Sequence, residues 1–104
     1  MKPSFEEEKG KVLDLVQAMI GAVTANFRWI SVRPRDDGRF HFYFLLEHDG
    51  PGDREEVEDI MGEYSALQLR LEELDFEYEV RVDDRPLDDV RPPGRPVYGR
   101  REDS

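Results

Sequence analysis

Histidines and carboxylates are the residues of this sequence that a metal or hydrolytic site would require. The two histidines are His41 and His48, and His48 stands between Glu47 and Asp49. Adjacent residues of a strand point to opposite faces, so these side chains cannot all converge on one ion. No second histidine has the spacing of a helical zinc site, and no calcium-binding loop pattern occurs. We therefore expect no metal and no cofactor.

Nucleophilic residues are also poorly placed for catalysis. The chain has no cysteine, which excludes a thiol nucleophile and a thiolate zinc site. None of its serines lies in a G-x-S-x-G elbow, and no glycine-rich phosphate loop occurs. We expect a protein that is not an enzyme.

The absence of cysteine, an acidic N-terminus and the lack of an apolar stretch of about 20 residues favour a cytoplasmic protein without a membrane partner.

Charge is the most unusual property of the composition. The 104 residues carry 25 acidic and 15 basic side chains, a formal net charge of −10. The excess lies in residues 53–89, which have 15 acidic and 4 basic side chains. Such a block repels nucleic acid and anionic lipid, and it attracts a basic protein surface. The alternative is that this charge only maintains solubility.

Two segments have apolar residues at helical spacing, residues 4–24 and residues 53–73. Each begins with a pattern that satisfies free amide groups at a helix start. The predicted capping pairs are Ser4 with Glu7 and Asp53 with Glu56. Asn26 is expected to end the first helix in a left-handed conformation.

Three segments rich in β-forming residues predict strands. Residues 27–33 and 39–46 flank a turn-forming sequence, residues 34–38, and indicate a hairpin with a five-residue loop. Residues 76–82 alternate apolar and charged side chains, which indicates a half-buried strand.

The resulting order, α-β-β-α-β, predicts an α+β fold. We expect a small antiparallel or mixed sheet with both helices packed on one face. The predicted single domain covers residues 1–98, where Val97 and Tyr98 could add a short edge strand. Residues 99–104 are predicted to form a flexible C-terminal tail.

The sheet face opposite the helices allows two interpretations. Its residues would be Trp29, Ser31, His41, Tyr43, Leu45, Glu77, Glu79 and Arg81. If this face is open, its aromatic rings and carboxylates have the composition of a binding hot spot. If the proline-rich C-terminal segment folds back and Val97 and Tyr98 cover the face, the aromatic residues belong to the core.

A series of short sequence blocks resembles a known family. The blocks are Gly21-Ala22-Val23-Thr24-Ala25-Asn26-Phe27-Arg28, Phe42-Tyr43-Phe44 with Asp49-Gly50, Tyr78-Glu79-Val80, and Gly94-Arg95-Pro96-Val97-Tyr98-Gly99-Arg100-Arg101-Glu102. Together with the acidic second helix, they resemble small acidic bacterial immunity proteins found beside polymorphic toxins of the contact-dependent inhibition and Rhs kinds. The similarity covers nearly the whole chain.

The resemblance implies an immunity protein that neutralises a cognate toxin by occluding its active site or substrate path. The implied partner is a protein, a basic toxin C-terminal domain. Acidic and aromatic side chains of the second helix, the hairpin and the third strand are the expected contacts. These residues are Trp29, Tyr43, Glu55, Glu58, Asp59, Glu63, Glu77 and Glu79.

Other functional classes are also considered. Nucleic-acid binding would depend on the arginines of the C-terminal segment, and the neighbouring acidic block makes them a poor phosphate track. A homo-oligomeric scaffold would require a self-complementary open sheet face. A small regulatory domain would require a ligand pocket between the hairpin and the helices. The last two remain open alternatives.

Overall fold

The computed structural model describes residues 5–19, 21–68 and 76–102. Within them lie the helices α1 (Phe5–Met19), α2 (Pro51–Ala66) and α3 (Leu87–Val90), and the strands β1 (Phe27–Pro34), β2 (Phe40–Leu46), β3 (Glu77–Val82) and β4 (Arg95–Gly99). The α+β prediction is confirmed. The short helix α3, between β3 and β4, was not predicted.

The strands form one mixed sheet in the order β3-β2-β1-β4. β1 pairs antiparallel with β2 and with β4, whereas β3 pairs parallel with β2. A parallel neighbour requires a long crossover connection, and α2 lies in that connection. All but one of the seven residues of β2 are buried, so the centre of the sheet is covered on both faces.

Both long helices pack on one face of the sheet, as the apolar spacing predicts. The buried core on this side consists of Leu15, Ala18, Met19, Phe27, Ile30, Val32, Phe40, Phe42, Phe44, Leu46, Val57, Ile60, Met61 and Tyr64. Phe42 makes edge-to-face contacts with Tyr64 and Phe76, with ring centroids 4.9 and 5.7 Å apart. This is a geometry that aromatic pairs prefer, and it links α2, β2 and the start of β3.

The hairpin has the predicted five-residue loop, displaced by one position to residues 35–39. The Arg35 N–H donates to the Arg39 carbonyl over 2.8 Å, and the Asp37 carboxylate accepts from the Arg39 N–H over 3.0 Å. Gly38 has φ 88°, a left-handed conformation that glycine adopts without steric cost.

The end of α1 differs from the prediction. The helix ends at Met19, and Gly21 has φ 81°, so a glycine and not Asn26 takes the left-handed conformation after it. No non-glycine residue within the described ranges has a positive φ. Ser4, the predicted cap, lies outside the described residues.

The prediction that Asp53 caps α2 is wrong, because the helix starts two residues earlier. Gly50 is the N-cap and Pro51 occupies the first helical position. A proline is tolerated there because an N–H at this position has no partner within the helix. The Asp53 carboxylate instead accepts hydrogen bonds from Thr24 Oγ1 (2.7 Å) and Asn26 Nδ2 (2.8 Å). These bonds tie the loop after α1 to the start of α2. Residues 69–73, the predicted end of this helix, lie outside the described residues.

The C-terminal segment is bound to β1. The predicted edge strand around Val97 and Tyr98 is confirmed as β4. Beyond it, the Arg100 N–H donates to the Arg28 carbonyl over 2.9 Å, and Glu102 accepts two hydrogen bonds from the Arg28 guanidinium over 2.7 and 2.8 Å. Of the predicted tail, Gly99, Arg100 and Glu102 are therefore held by hydrogen bonds, and residues 103 and 104 lie outside the described residues.

Arg28 is a buried charge at the junction of three segments. Only 2% of the residue is exposed, and its guanidinium also donates to the Asp83 carbonyl at the end of β3 over 2.6 Å. A buried charge without partners is strongly disfavoured, so these acceptors stabilise the fold. Arg28 consequently holds the end of β3 and the C-terminal segment to β1.

Glu102→Gln should destabilise the fold in a pH-dependent way. Hydrogen bonding to Arg28 lowers the pKa of the Glu102 carboxyl below its ordinary value of 4.5. A carboxyl with a lowered folded-state pKa stabilises above its unfolded pKa, and this contribution is lost as the pH falls through the folded value. We expect the variant to lose about 2 kcal/mol at roughly pH 7 and much less at roughly pH 3, in urea unfolding followed by circular dichroism. Glu6→Gln at an exposed position is the control, and an equal loss at both pH values would contradict the role of Glu102.

Two glycine substitutions should have opposite effects. Gly94 has φ 104°, and a Cβ there would lie 2.6 Å from the Val32 carbonyl oxygen, so Gly94→Ala should cost at least about 2 kcal/mol. Gly62 lies inside α2 with no atom within 4 Å of its Cβ position, so Gly62→Ala should add about 1 kcal/mol. Thermal unfolding measures both, and a neutral Gly94→Ala would refute the close approach to β1.

Candidate partner-binding surfaces

The outer surface of α2 is acidic. Val57, Ile60, Met61 and Tyr64 are buried, which turns the opposite side of the helix outward. The four predicted contact residues on that side are all exposed: Glu55, Glu58, Asp59 and Glu63. Arg54, the basic residue of this helix, pairs instead with Asp49 over 2.6 Å. No ion pair joins the four carboxylates to a basic side chain in the described part of the chain. We call these residues the α2 acidic surface.

The α2 acidic surface does not stabilise its own helix. Glu55, Asp59 and Glu63 follow one another at intervals of four residues. Like charges at this spacing disfavour a helix by about 0.2–0.5 kcal/mol per pair. Their remaining physical effect is a negative potential in front of α2.

Glu77 and Glu79, the predicted contacts on β3, are neutralised within the chain. Glu77 pairs with Arg35 over 2.6 Å, and Glu79 pairs with Arg81 over 2.6 Å. His41 Nε2 lies 3.0 Å from Glu79 Oε1. The hydrogen bond from Arg81, assisted by His41, lowers the pKa of the Glu79 carboxyl. These acids present a weaker negative potential to a partner than the α2 acidic surface does.

Tyr43 lies beneath the side chains of this network. Its ring stacks on His41 at 4.5 Å between centroids, and the Arg81 guanidinium lies 5.0 Å from the ring centre. Only 5% of Tyr43 is exposed. A partner could therefore contact this ring only after displacing Arg81 or His41.

The connection between β3 and β4 covers the sheet face opposite the helices. Ser31 is fully buried and donates to the Pro93 carbonyl over 2.8 Å, and Pro92 is also buried. The Arg91 guanidinium lies 4.9 Å from the centre of the Trp29 ring. The proline-rich segment thus does fold back. The prediction that Val97 and Tyr98 form this cover is wrong, because both residues pack against the core beneath the helices.

Trp29 is half-buried between this cover and β4. A Cβ on Gly99 would lie 2.9 Å from the ring, so the glycine is what lets the strand pass so close. The Nε1 atom of Trp29 is buried and has no hydrogen-bond partner among the described residues. The ring is therefore mainly a packing element in this structure.

The eight predicted contact residues divide into two groups on opposite sides of the molecule. The α2 acidic surface is the outer side of the helix layer. Trp29, Tyr43, Glu77 and Glu79 belong to the sheet face turned away from the helices. One flat partner surface cannot contact both groups at once. Sequence analysis identified the faces of the elements but not this separation.

Other kinds of site would require grouped metal ligands, a pocket at the core or a membrane-spanning helix. Within residues 5–19, 21–68 and 76–102, no three histidines or carboxylates are grouped so that they could hold a metal ion. A hollow of about 540 Å³ lies at the hairpin turn, lined by residues 33–37, and not between the hairpin and the helices. No helix in this part of the chain is long and apolar enough to cross a membrane.

Sequence analysis missed the residues that close the domain. Arg28, Arg91 and Glu102 make contacts that determine which surfaces are accessible. One signal was present: an arginine between Phe27 and Trp29 in an apolar strand must find partners if it is buried. The identity of those partners, 55 and 74 residues further along the chain, has no local signal.

Comparison with known proteins identifies a family for this chain. A search of curated proteins found no match. The family model described as MafI2 immunity protein matches residues 10–102, which include α2, all four strands and most of α1. The resemblance to bacterial immunity proteins is thereby confirmed. The chain belongs to the MafI2 immunity protein family.

Proposed function

We propose that this protein binds a cognate bacterial toxin and neutralises it stoichiometrically, without catalysis, by occluding the toxin's active site or substrate path. Family membership supports the immunity role. The observation that carries the mechanism is the α2 acidic surface, whose carboxylates are exposed and unpaired among the described residues. We place the protein in the cytoplasm, where it would meet an incoming toxin.

The proposed partner surface is basic. Many arginines of this chain form internal ion pairs, for example Arg35, Arg81 and Arg100 with Glu77, Glu79 and Glu47. These pairs leave the α2 acidic surface as a concentrated source of negative potential. A toxin that acts on nucleic acid or nucleotides needs a positive cleft for its substrate. Complementary potentials accelerate association and orient the encounter, so α2 could approach the cleft that the substrate uses.

Gly62 supports close contact at this surface. It is exposed next to Glu63 and three residues after Asp59, and no atom lies within 4 Å of its Cβ position. Glycine inside a helix costs about 1 kcal/mol relative to alanine. Its lack of a side chain exposes the helix backbone between two carboxylates. An arginine or a loop of the toxin could therefore approach α2 closely.

We treat Trp29, Tyr43, Glu77 and Glu79 as a secondary contact surface. Their carboxylates are paired, and their rings lie under Arg91 and Arg81. A toxin that used them as anchors would first have to open the cover. The primary contact is therefore assigned to α2.

Charge reversal at Glu55 and Asp59 should slow toxin binding without affecting the fold. Both side chains are exposed on the side of α2 away from its buried stripe. Glu55→Lys/Asp59→Lys should lower the association rate constant at low salt by about tenfold or more and reduce its salt dependence. Surface plasmon resonance with the cognate toxin domain, at two salt concentrations, measures both quantities.

The matched control is Asp84→Lys/Asp89→Lys. It changes the net charge equally, but at exposed residues of the connection that covers the opposite sheet face. We expect it to have a much smaller effect on the association rate. Equal slowing by both double variants would show that only net charge matters. Complete absence of binding by the wild-type protein would contradict the proposed immunity function itself.

The Trp29→Ala variant tests whether the Trp29 ring contacts the toxin or only packs within the protein. Because the ring is held between Arg91 and Gly99, we expect the free energy of unfolding to fall by about 3 kcal/mol. The toxin dissociation rate, measured where circular dichroism shows the variant to be folded, should stay close to the wild-type rate. Arg91→Ala, which removes part of the cover but keeps the ring, is the control. Faster dissociation of folded Trp29→Ala would instead make Trp29 a direct contact.

A further inference from the structure

β3 lies at one edge of the four-stranded sheet. The Asp83 N–H donates to the Leu46 carbonyl over 3.0 Å, which sets the phase of the parallel pairing with β2. Residues at odd positions of β3 therefore bond to β2, because a strand directs its backbone groups alternately to each side. The N–H and C=O groups of Tyr78, Val80 and Val82 point outward. No described residue hydrogen-bonds to them there.

The two edges of the sheet differ in protection. β4 carries Pro96, which has no N–H to offer another strand, and its pairing with β1 has an irregular register. β3 has no proline, and its register with β2 is continuous. It also exposes two large apolar side chains, Tyr78 (41%) and Val82 (38%). These apolar residues alternate with the charged Glu77, Glu79 and Arg81, so a strand that pairs with this edge needs complementary charges.

We propose that this edge pairs with β3 of a second copy of the chain. The two strands would be antiparallel about a two-fold axis at Val80, which joins two four-stranded sheets into one. Val80 then faces its own counterpart, and Tyr78 faces Val82 of the other copy. These are the residues with outward backbone groups, so they form the hydrogen-bonded pairs of an antiparallel ladder. On the other sheet face, Glu79 stands opposite Arg81 of the other copy.

Charge selects this register over its neighbours. Side-chain alternation requires that residues facing each other lie on the same sheet face, so only registers centred on a residue are allowed. An axis at Glu79 also forms two opposite-charge pairs, Glu77 with Arg81, but it places two Glu79 side chains opposite each other at the centre. An axis at Arg81 places two Arg81 side chains opposite each other. Like charges directly opposite destabilise a pair of strands, and opposite charges stabilise it. Within β3, the axis at Val80 gives two Glu79–Arg81 pairs, two Tyr78–Val82 contacts and no like-charge pair. The like charges Glu77 and Asp83 face each other only where the strands end.

The strand sequence is thus self-complementary, and this favours a second copy over a toxin strand. Two six-residue strands bury little area compared with the roughly 1,200–2,000 Å² of a stable interface, so the dimer is concentration-dependent. Pairing at this edge leaves the outer side of α2 uncovered. The dimer does not depend on the proposed function, and it would present two α2 acidic surfaces.

Sedimentation equilibrium of the protein alone, from about 10 µM to about 1 mM, tests the dimer. We expect a reversible monomer–dimer equilibrium for the wild-type chain. Arg81→Glu and Glu79→Arg each place like charges opposite one another and should weaken the dimer by about fivefold or more. The double variant Glu79→Arg/Arg81→Glu restores opposite charges and should restore the dimer. Arg85→Glu, the same charge change just beyond the strand, is the control.

Val82→Lys gives an independent test if the charge variants disturb the network around His41. It replaces an exposed apolar side chain and should also weaken the dimer. A wild-type protein that stays monomeric at all concentrations would overturn the proposal. The proposal would also be overturned if both single variants, shown to be folded by circular dichroism, lose the dimer and the double variant does not restore it. A monomer whose Val82→Lys variant loses toxin binding would assign the edge to a toxin strand instead.

Discussion

The hairpin of β1 and β2 carries apolar side chains on both of its faces, and the chain must cover both. The two long helices cover one face, over Phe42 and Phe44. The other face is covered by the connection between β3 and β4 at Ser31, and by the side chains of Arg81 and His41 at Tyr43. Arg28 secures this connection on both sides, because its guanidinium bonds to the Asp83 carbonyl before it and to Glu102 after β4. The buried charge of Arg28 therefore fixes both ends of this connection, and the Ser31–Pro93 hydrogen bond holds its middle.

Closure of that face determines which surfaces a partner can reach. The aromatic residues that looked like binding anchors become packing residues, and the nearby carboxylates are taken up by Arg35, Arg81 and His41. Among the described residues, the four carboxylates of the α2 acidic surface stay exposed and have no basic partner. Some carboxylates of this acidic chain are thus held in internal ion pairs, and others are presented to solvent. Only the presented part can attract a partner at long range, because close ion pairs cancel each other's field at a distance.

The two accessible features of the molecule are physically different. The outer side of α2 offers charge, which suits fast and salt-dependent association with a basic protein. The free edge of β3 offers backbone hydrogen bonds and apolar side chains in a self-complementary order. Because these features lie on a helix surface and on a sheet edge, one copy can use both without competition.

Local patterns in the sequence determined the elements of this protein. Helical and alternating apolar spacing predicted α1, α2 and the first three strands, and the turn residues predicted a five-residue hairpin loop. The same patterns assigned Glu55, Glu58, Asp59 and Glu63 to the exposed side of α2. Only the tertiary structure decided that Asp53 bonds to Thr24 and Asn26, that Pro92 and Pro93 cover the hairpin, and that the two acidic groups lie on opposite sides. Spacing reports which side of an element is buried, whereas the partner of a buried side chain depends on contacts between residues far apart in the chain.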